Sequence, residues 1–335
     1  MKTPKTFGFW GFSRLLTKLS TGSGAAGFRS ATWSASIHGM GVDDLRDLFA
    51  VNGGVATTRQ LLAVLSPKAL EVQVRAGLLF RVRRGVYALE APDRTKRLAA
   101  LDVACGKEIV TCMHTAAEQY GFCTEPDERL HILDPGVRIR PMPDLVVHQR
   151  IGAPLRRVNG RLATAPAWTA IEVARTLRRP RLLATLDAAV RSGCCSRAEL
   201  EAMLREQSGR RGVVNVRELL PHADGRAESP MESEMRLVFM DWGLPMPELQ
   251  YEIVDRHGQL WRADFAWPEY RVAAEYDSVD WHANPEAFRH DRMKTARLQE
   301  CGWVSIPAVI DDVRKQPAEL CARIRRHLDS PRLAG

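Results

Sequence analysis

The stretch LWRADFAWPEYRVAAEYDSVDWH, residues 260–282, decides how the C-terminal part of the chain is interpreted. It contains two patterns typical of short β-strands, joined by the Pro-Glu-Tyr sequence of residues 268–270. Side chains alternate between the two faces of a strand, so residues two apart share a face. A short connection that begins with proline indicates a tight turn between antiparallel strands. We therefore expect Asp264 of the first strand to lie across from Glu275 of the second.

The elements around this stretch predict a small domain of mixed structure. From Pro230 onward the pattern indicates a helix, three strands, a long helix that opens at Pro285, a fourth strand and a closing helix. The closing helix repeats Leu320, Ile324 and Leu328 every four residues, which is the spacing of one apolar helix face. A segment rich in Gly, Ser, Pro and Arg precedes these elements and predicts a domain boundary near residue 226.

This order, with carboxylates on the second and third strands, resembles the PD-(D/E)XK nuclease superfamily in its very-short-patch-repair (Vsr)-like endonuclease branch. The resemblance spans residues 227–330 and implies a C-terminal α/β restriction-endonuclease-like domain with a central mixed sheet. It also implies that Asp264 and Glu275 are the central metal carboxylates. Glu232 matches the acidic residue of the first helix, and His282 matches a histidine that often follows in this branch.

The implied reaction is metal-dependent cleavage of a DNA phosphodiester bond. Mg²⁺ or Mn²⁺ held by carboxylate oxygens neutralises charge in the transition state and delivers a water nucleophile. Asp277 is two residues beyond Glu275, so it can border the same metal site. His282 could polarise water or protonate the leaving oxygen, because its pKa lies near physiological pH. The predicted metal ligands are Asp264, Glu275 and Asp277, and the predicted catalytic residues add His282 and Glu232.

The chain departs from the superfamily pattern at positions that bear on catalysis. Asp277 stands where lysine is usual, and Lys294 or Arg292 of the next helix could reach back to replace that positive charge. Ser278 follows where glycine is common, and Pro307 stands in a strand that usually carries a basic residue. An endonuclease is therefore the leading hypothesis, and a degenerate nuclease fold without catalysis is the alternative.

Composition and charge indicate a soluble globular protein. A chain of 335 residues is long enough for two or three domains. Its net charge of +8 favours a polyanionic partner such as DNA, although a merely solvated basic surface would give the same sum. Nothing approaches the apolar run of about 18 residues that a membrane span needs. The seven cysteines form no CxxC pair, which indicates reduced thiols and a cytoplasmic location.

The N-terminal part begins with a basic segment and continues into a compact pattern. Residues 1–39 contain no acidic residue and are rich in Gly, Ser and Thr, which predicts a disordered basic extension. A presequence or a start codon upstream of Met40 would give the same composition. Residues 40–92 show three short helices and then the runs LLFRV and GVYAL around a turn. Thr57 with Gln60 has the spacing of a capping box at the second helix, and Ser66 is the expected N-cap of the third. That order predicts a winged helix-turn-helix within an α+β N-terminal region.

In a winged helix-turn-helix the third helix enters the major groove of DNA and the hairpin, or wing, contacts the backbone. Basic residues in both elements suit such contacts, whereas Glu71 on the third helix would oppose DNA. The alternative is a winged helix that holds a protein partner. The predicted DNA-binding residues are Lys68, Gln73 and Arg75 on the third helix and Arg81, Arg83 and Arg84 in the wing.

The stretches GGVATTRQLL and RVRRGVYAL resemble the N-terminal domain of AbiEi-like antitoxins of type IV toxin-antitoxin systems. The resemblance continues through TCMHTAAEQYGF to about Arg150. It implies a winged helix that binds promoter DNA, and it raises a toxin as a second partner. Residues 93–226 are predicted to be an α+β antitoxin-like scaffold, in which EIVTCMH, RLHILD and DLVVHQR are predicted strands. Ser196 with Glu199 has the spacing of a capping box at the last helix of this region.

Three histidines of this scaffold, His114, His131 and His148, each lie in one of the strand-like runs. Their spacing matches no metal-ligand signature, so structural histidines are favoured over a metal site. For the whole chain, the leading hypothesis is a DNA-binding protein with an Mg²⁺-dependent endonuclease domain, acting in defence or repair. The alternatives are a non-enzymatic transcriptional regulator with a degenerate nuclease fold, and an antitoxin that acts by protein contact.

Overall fold

The computed structural model describes residues 42–140, 142–149, 152–278 and 285–329. The predicted extension at residues 1–39 and the predicted catalytic His282 lie outside the described residues. The chain divides into two compact units, residues 1–107 and residues 108–335, and each is described by itself. No helix in the described ranges is both long and apolar enough to span a bilayer.

The N-terminal unit contains short helices and a three-stranded antiparallel sheet. Its sheet has the order β1-β3-β2. Ala88 of the central strand pairs with Val55 on one side and with Phe80 on the other. The predicted helices and hairpin are present, and the first strand is an addition to the prediction. The elements are α1 Val42–Ala50, β1 Val55–Thr57, α2 Thr58–Leu62, α3 Pro67–Arg75, β2 Phe80–Arg83, β3 Val86–Ala88 and α4 Arg94–Cys105.

Local sequence explains where these helices begin. Thr57 and Gln60 form the expected capping box at the start of α2: each accepts a hydrogen bond from the backbone N–H of the other, at 3.2 and 2.8 Å. Ser66 caps α3 by accepting from the backbone N–H of Ala69 at 3.1 Å. Leucines from the helices then pack beneath Tyr87 of the sheet in one apolar core.

The first part of the C-terminal unit is the α+β region predicted as a scaffold. Strands β4 and β5 pair in parallel, and β6 and β7 form an antiparallel hairpin. The predicted strand EIVTCMH is wrong, because only Thr111 forms β-bridges there and a helix starts at Met113. The elements are α5 Met113–Gln119, β4 Leu130–Leu133, β5 Leu145–His148, β6 Leu155–Val158, β7 Arg161–Thr164, α6 Pro166–Ala174, α7 Arg179–Arg191, α8 Arg197–Glu206 and α9 Val213–Leu219.

The second part of this unit contains the predicted mixed sheet. Its strand order is β11-β10-β9-β8, in which β10 and β11 are parallel and the other pairs are antiparallel. The predicted order of elements is confirmed, with a short additional helix after the last strand. The elements are α10 Pro230–Asp241, β8 Glu248–Val254, β9 Leu260–Trp267, β10 Val272–Tyr276, α11 Pro285–Glu300, β11 Val304–Ala308, α12 Ile310–Arg314 and α13 Pro317–Leu328.

Helix α10 lies between the two parts of the C-terminal unit. Leu237 belongs to the apolar core of the scaffold, while Met235 and Phe239 belong to the core of the mixed sheet. Arg236, on the same helix, donates to the buried carboxylate of Asp187 on α7 at 2.6 Å. Residues on both sides of the predicted boundary at 226 therefore share one compact unit.

Candidate functional site

Helix α3 presents one exposed face that combines charge with an apolar side chain. Lys68, Glu71, Val72 and Arg75 are exposed and recur at the spacing of a single helix face. Gln73 lies on the opposite side with only 2% of its surface exposed. The prediction of Gln73 as a DNA contact is therefore wrong, since a side chain in the core of this unit cannot reach a groove. Val72 follows Lys68 by four residues, so the helix spacing places Val72, and not Gln73, on the same face as Lys68.

Arg75 and Glu71 are joined across one turn of α3. The Arg75 Nη2 donates to Glu71 Oε1 at 2.6 Å, and both side chains are largely exposed. An exposed i,i+4 pair of this kind adds only about 0.3–0.5 kcal/mol to stability. Its main consequence is that a guanidinium and a carboxylate stand side by side on the exposed face.

The hairpin of β2 and β3 carries the predicted wing arginines. Arg81 and Arg84 are exposed, and Arg83 is half-buried. The Arg81 guanidinium lies over the ring of Tyr87, 5.7 Å from its centroid, which orients its stem on the sheet. Gly85 makes the turn with φ of +77°, a conformation that other residues rarely adopt. The wing therefore projects at least two cations to its surface.

A second candidate site lies at the mixed sheet, where the structure brings several predicted carboxylates together. The ladder between β9 and β10 pairs Phe265 with Ala274, and the next residues along the two strands are Asp264 and Glu275. The backbone N–H of Tyr276 donates to Asp264 Oδ2 at 3.0 Å. Glu232 lies in the first turn of α10 and is buried. We call Glu232, Asp264, Glu275 and Lys294 the carboxylate–lysine cluster.

Lys294 of α11 supplies the positive charge of this cluster. Its Nζ donates to Glu275 Oε2 at 2.5 Å, and both side chains are mostly buried. The expectation that a cation from the next helix reaches back is confirmed for Lys294, while Arg292 is exposed. Asp277 is also exposed and lies just past the end of β10, where its backbone N–H donates to Ala308 O at 2.8 Å.

Burial controls the electrostatics of the carboxylate–lysine cluster. Burial, followed by the nearby charge of Asp264, raises the pKa of Glu232 to about 7. Burial also raises the pKa of Asp264, although the Tyr276 N–H and Lys294 oppose that shift. The pKa of Glu275 is raised by burial and held back by Lys294. A further positive charge would therefore stabilise the ionised form of each of these carboxyls.

Gln250 of β8 is a member of this site that the sequence did not indicate. Its Nε2 donates to Glu232 Oε2 at 2.9 Å, and its buried Oε1 has no hydrogen-bond partner. Its backbone φ of +54° is in the left-handed region, which is rare for glutamine in a strand. Nothing in the local pattern ELQYEIV signals that conformation.

The described residues contain no group of three or more His, Cys, Asp or Glu side chains arranged to hold a metal ion. Asp264 is engaged by a backbone N–H, and Glu275 is paired with Lys294. The donor chemistry nevertheless fits Mg²⁺, which proteins bind through one or two carboxylates together with water and substrate phosphate. Asp264 and Glu275 are the two residues whose oxygens suit that role.

The scaffold histidines lie together: His131 and His148 share a hydrogen bond, and His114 contacts His131 through its ring. His131 Nδ1 lies 2.9 Å from His148 Nε2, and His131 Nε2 lies 2.9 Å from Asp127 Oδ2. The ring of His114 meets His131 edge to face, with centroids 5.2 Å apart. Burial lowers the pKa of all three imidazoles, and that of His148 falls to about 4. These contacts suit structural histidines of the β4–β5 pair.

Comparisons with known proteins match both parts of the chain that were predicted as antitoxin-like. Residues 43–89 match the model described as "Transcriptional regulator, AbiEi antitoxin". Residues 109–222 match the model of the AbiEi antitoxin C-terminal domain, which extends well beyond the stretch that carried the resemblance. Two regions of the chain are therefore similar to AbiEi antitoxin domains, and the mixed-sheet part follows them.

Two proteins of Mycobacterium tuberculosis, from strains CDC 1551 and H37Rv and both described as uncharacterized, are similar to this chain. Each is 60% identical over 271 residues, which cover 81% of this chain and 100% of the relative. The chain belongs to the family of these mycobacterial proteins. Members of this mycobacterial family therefore share most of the architecture described above, at a level of identity that preserves the fold.

Proposed function

We propose that the chain is a DNA-binding transcriptional regulator of the AbiEi antitoxin type, in which residues 40–92 form a winged helix-turn-helix. The observation that carries this proposal is the exposed, charged face of α3 beside the arginine-bearing β2–β3 hairpin. Support comes from the match of residues 43–89 to a transcriptional-regulator model. In this arrangement α3 enters the major groove, and the hairpin contacts phosphates.

The charge of the chain supports the same proposal. Arg81 and Arg84 stand exposed in the hairpin, and Lys68 stands exposed in the first turn of α3. Each such cation that neutralises a phosphate releases a counterion, so the affinity falls as salt rises. The AbiEi match of residues 109–222 adds a toxin as a second partner of the regulator. A toxin bound by contact would use a surface other than α3.

The test is a titration of the full-length protein with duplex DNA at several salt concentrations. We expect a steep linear decrease of log K with log salt, and a slope smaller by about 0.9 in Arg84→Ala, since one phosphate contact is lost. Arg138→Ala removes an exposed arginine from the other compact unit and serves as the matched control. An unchanged slope in Arg84→Ala would remove the wing from the DNA interface. Absence of binding at low salt would refute DNA binding, and an affinity independent of salt would refute binding through phosphate contacts.

A second candidate function, DNA cleavage, is favoured by one specific observation. Lys294 reaches Glu275 from α11 and so restores the cation that Asp277 fails to supply. The proposal is an Mg²⁺-dependent endonuclease of the PD-(D/E)XK type, with Asp264 and Glu275 as metal ligands. Mg²⁺ bound there would neutralise the phosphate and activate water. This second function is compatible with the first, because the regulator part would then deliver the nuclease part to DNA.

The residues of the chain have separate roles in this second function. Lys294, which pairs with Glu275, would hold a positive charge beside a scissile phosphate bound at these carboxylates. Glu232, whose pKa of about 7 allows it to take or release a proton near neutrality, would exchange a proton with water. Gln250 orients Glu232 through the hydrogen bond at 2.9 Å. Asp277 is exposed, and after burial its nearby charge also raises the pKa of Glu275.

A nicking assay on supercoiled DNA with Mg²⁺ or Mn²⁺ tests the second function. We expect the double variant Asp264→Asn, Glu275→Gln to lose all cleavage, and Lys294→Met to lose most of it. Glu269→Gln changes an exposed carboxyl in the β9–β10 turn and should cleave like wild type. Equal cleavage by the wild type and the double variant would mean that the cleavage does not depend on Asp264 and Glu275. Absence of cleavage in the wild type would refute the nuclease function and leave the proposed regulator function unaffected.

A further inference from the structure

We propose that the exposed face of α3 reads bases as well as charge, with Val72 contacting the methyl group of a thymine and the Glu71–Arg75 pair reading a neighbouring cytosine–guanine pair. This inference rests on the proposed function, because it requires α3 to lie in the major groove. It assigns sequence specificity to Val72 and Glu71, which were not expected to bind DNA, and to Arg75, which was. The DNA site would contain a T·A pair adjacent to a C·G pair.

The position of Val72 is the first reason. Its side chain is 47% exposed, while Leu70 and Gln73 on the other side of α3 are buried in the core. Val72 lies between Lys68 and Arg75 along the helix axis, on the exposed side of α3 that would meet DNA. The 5-methyl group of thymine is the apolar feature that the major groove offers to such a side chain.

The ion pair beside Val72 is the second reason. Arginine donates two parallel hydrogen bonds to O6 and N7 of guanine, and a carboxylate accepts from N4 of cytosine. Glu71 Oε1 and Arg75 Nη2 are already 2.6 Å apart, so both groups reach the groove side by side. Their Cα atoms are about 6 Å apart along the helix axis, and successive bases of a strand are about 3.4 Å apart. The two contacts therefore fall on the same or neighbouring base pairs.

The carboxylate of Glu71 also argues against a face that binds only phosphates. A lone glutamate at the centre of such a face would be repelled by every phosphate it approached. Pairing with Arg75 reduces that repulsion, and a cytosine amino group gives the second carboxylate oxygen a donor. Sites without cytosine at this position would leave the carboxylate unmatched, so Glu71 would reject them.

The test uses full-length protein and a pool of duplexes with a randomised centre. Duplexes retained by the wild type are sequenced, and the enriched site is synthesised with thymidine or with deoxyuridine, which lacks the methyl group. We expect the wild type to bind the thymidine form about fourfold more tightly, the value of one buried methyl group. Val72→Ala should lose that preference. Val51→Ala, an exposed valine of the same unit outside α3, should keep it.

The Glu71–Arg75 pair is tested on the same site. Glu71→Gln should lose at least about fivefold of the preference for cytosine at one position, while the thymine preference remains. Equal affinity of the wild type for the thymidine and deoxyuridine forms, together with steep salt dependence, would overturn this inference and leave the proposed function intact. Failure of the wild type to retain DNA at low salt would overturn the proposed function itself.

Discussion

Gly212 shows how one residue fixes the start of helix α9. It has φ of +87°, and a Cβ at this position would overlap the carbonyl oxygen of Arg175. Gly209 has a similar φ of +84° but nothing within reach of an added Cβ. Gly209→Ala should therefore cost only the left-handed strain of about 1–2 kcal/mol. Gly212→Ala should cost about 1–3 kcal/mol more, because the backbone of α6 must move.

Chemical denaturation of the two glycine variants measures this difference. The two substitutions share the same chemistry and nearly the same φ, so the difference reports the overlap alone. Equal losses in the free energy of unfolding would mean that the Arg175 carbonyl moves without cost. In that case the close approach between α9 and the end of α6 would not contribute to stability.

Glu232 makes stability depend on pH. Its folded pKa of about 7 is higher than its ordinary value of 4.5. The contribution that this shift makes to stability is therefore fully present below pH 4.5 and is lost as the pH rises through 7. Glu232→Gln keeps an acceptor for Gln250 and cannot ionise. We expect its free energy of unfolding to exceed that of the wild type above pH 7.

The measurement is the free energy of unfolding across this pH range. One proton of difference between the two states gives a slope of about 1.4 kcal/mol per pH unit, and Glu232→Gln should reduce the slope towards zero. Glu269→Gln, in the exposed turn, should give a curve parallel to that of the wild type. A Glu232→Gln curve that is also parallel would assign the pH dependence to Asp264 and Glu275.

Residues differ in how well the sequence could place them. The capping residues Thr57 and Ser66 were predicted because a cap depends only on its own helix start. Gln73 was misplaced because its polarity suggested exposure, whereas the packing of α3 on the core of its unit decides which side is buried. Gln250 could not have been predicted, since its left-handed backbone occurs within the pairing of β8 with β9 and its side chain donates to Glu232 of a distant helix.

At the scale of elements, the parallel pair β4 and β5 depends on neutral histidines. Burial first, and then the charge of His131, lower the pKa of His148 to about 4 from 6.5. The stabilising contribution of neutral His148 is therefore present above pH 6.5 and is lost as the pH falls through 4. The charges of three further residues also act on the His148 imidazole, namely His114, Glu172 and Arg175. Asp127 acts on the neighbouring His131.

His148→Gln tests this account, because its amide nitrogen can still donate to His131 Nδ1 without titrating. We expect the variant to retain more of its stability between pH 6.5 and 4 than the wild type. His327→Gln changes an exposed histidine on α13 and should leave the curve unchanged. If His148→Gln loses stability as steeply as the wild type, protonation of another group opens the pair. Circular dichroism during acid titration would show either outcome.

Elements with strong local signals were predicted, and those that depend on distant partners were not. The α8 capping box and the hairpin around Gly85 are local, and both are present. The run EIVTCMH has β-branched residues, yet only Thr111 is bridged, because Ile132 and Ala163 offer it single contacts instead of a ladder. The short strand β1 exists because β3 pairs with it, and its own sequence gives little signal.

At the scale of the whole molecule, the scaffold and the mixed sheet share helix α10 within one compact unit. The buried pair of Asp187 and Arg236 connects α7 with α10, and removal of one partner of such a pair costs about 3–5 kcal/mol. Arg181 of α7 and Arg314 of α12 both reach the buried Glu234. The predicted boundary at residue 226 came from composition, which carries no information about such contacts. The domain boundary near residue 226 therefore stays a prediction.

The two parts of the C-terminal unit should unfold together, because they share helix α10. Leu237→Ala removes a side chain from the scaffold core, and Phe239→Ala removes one from the sheet core. We expect losses of about 2–5 and 3–5 kcal/mol, and each variant should lower the stability of both parts in one transition. Val254→Ala, an exposed position on β8, should change stability by less than about 0.5 kcal/mol. Two separate transitions, each lowered by only one variant, would mean that α10 does not couple the parts.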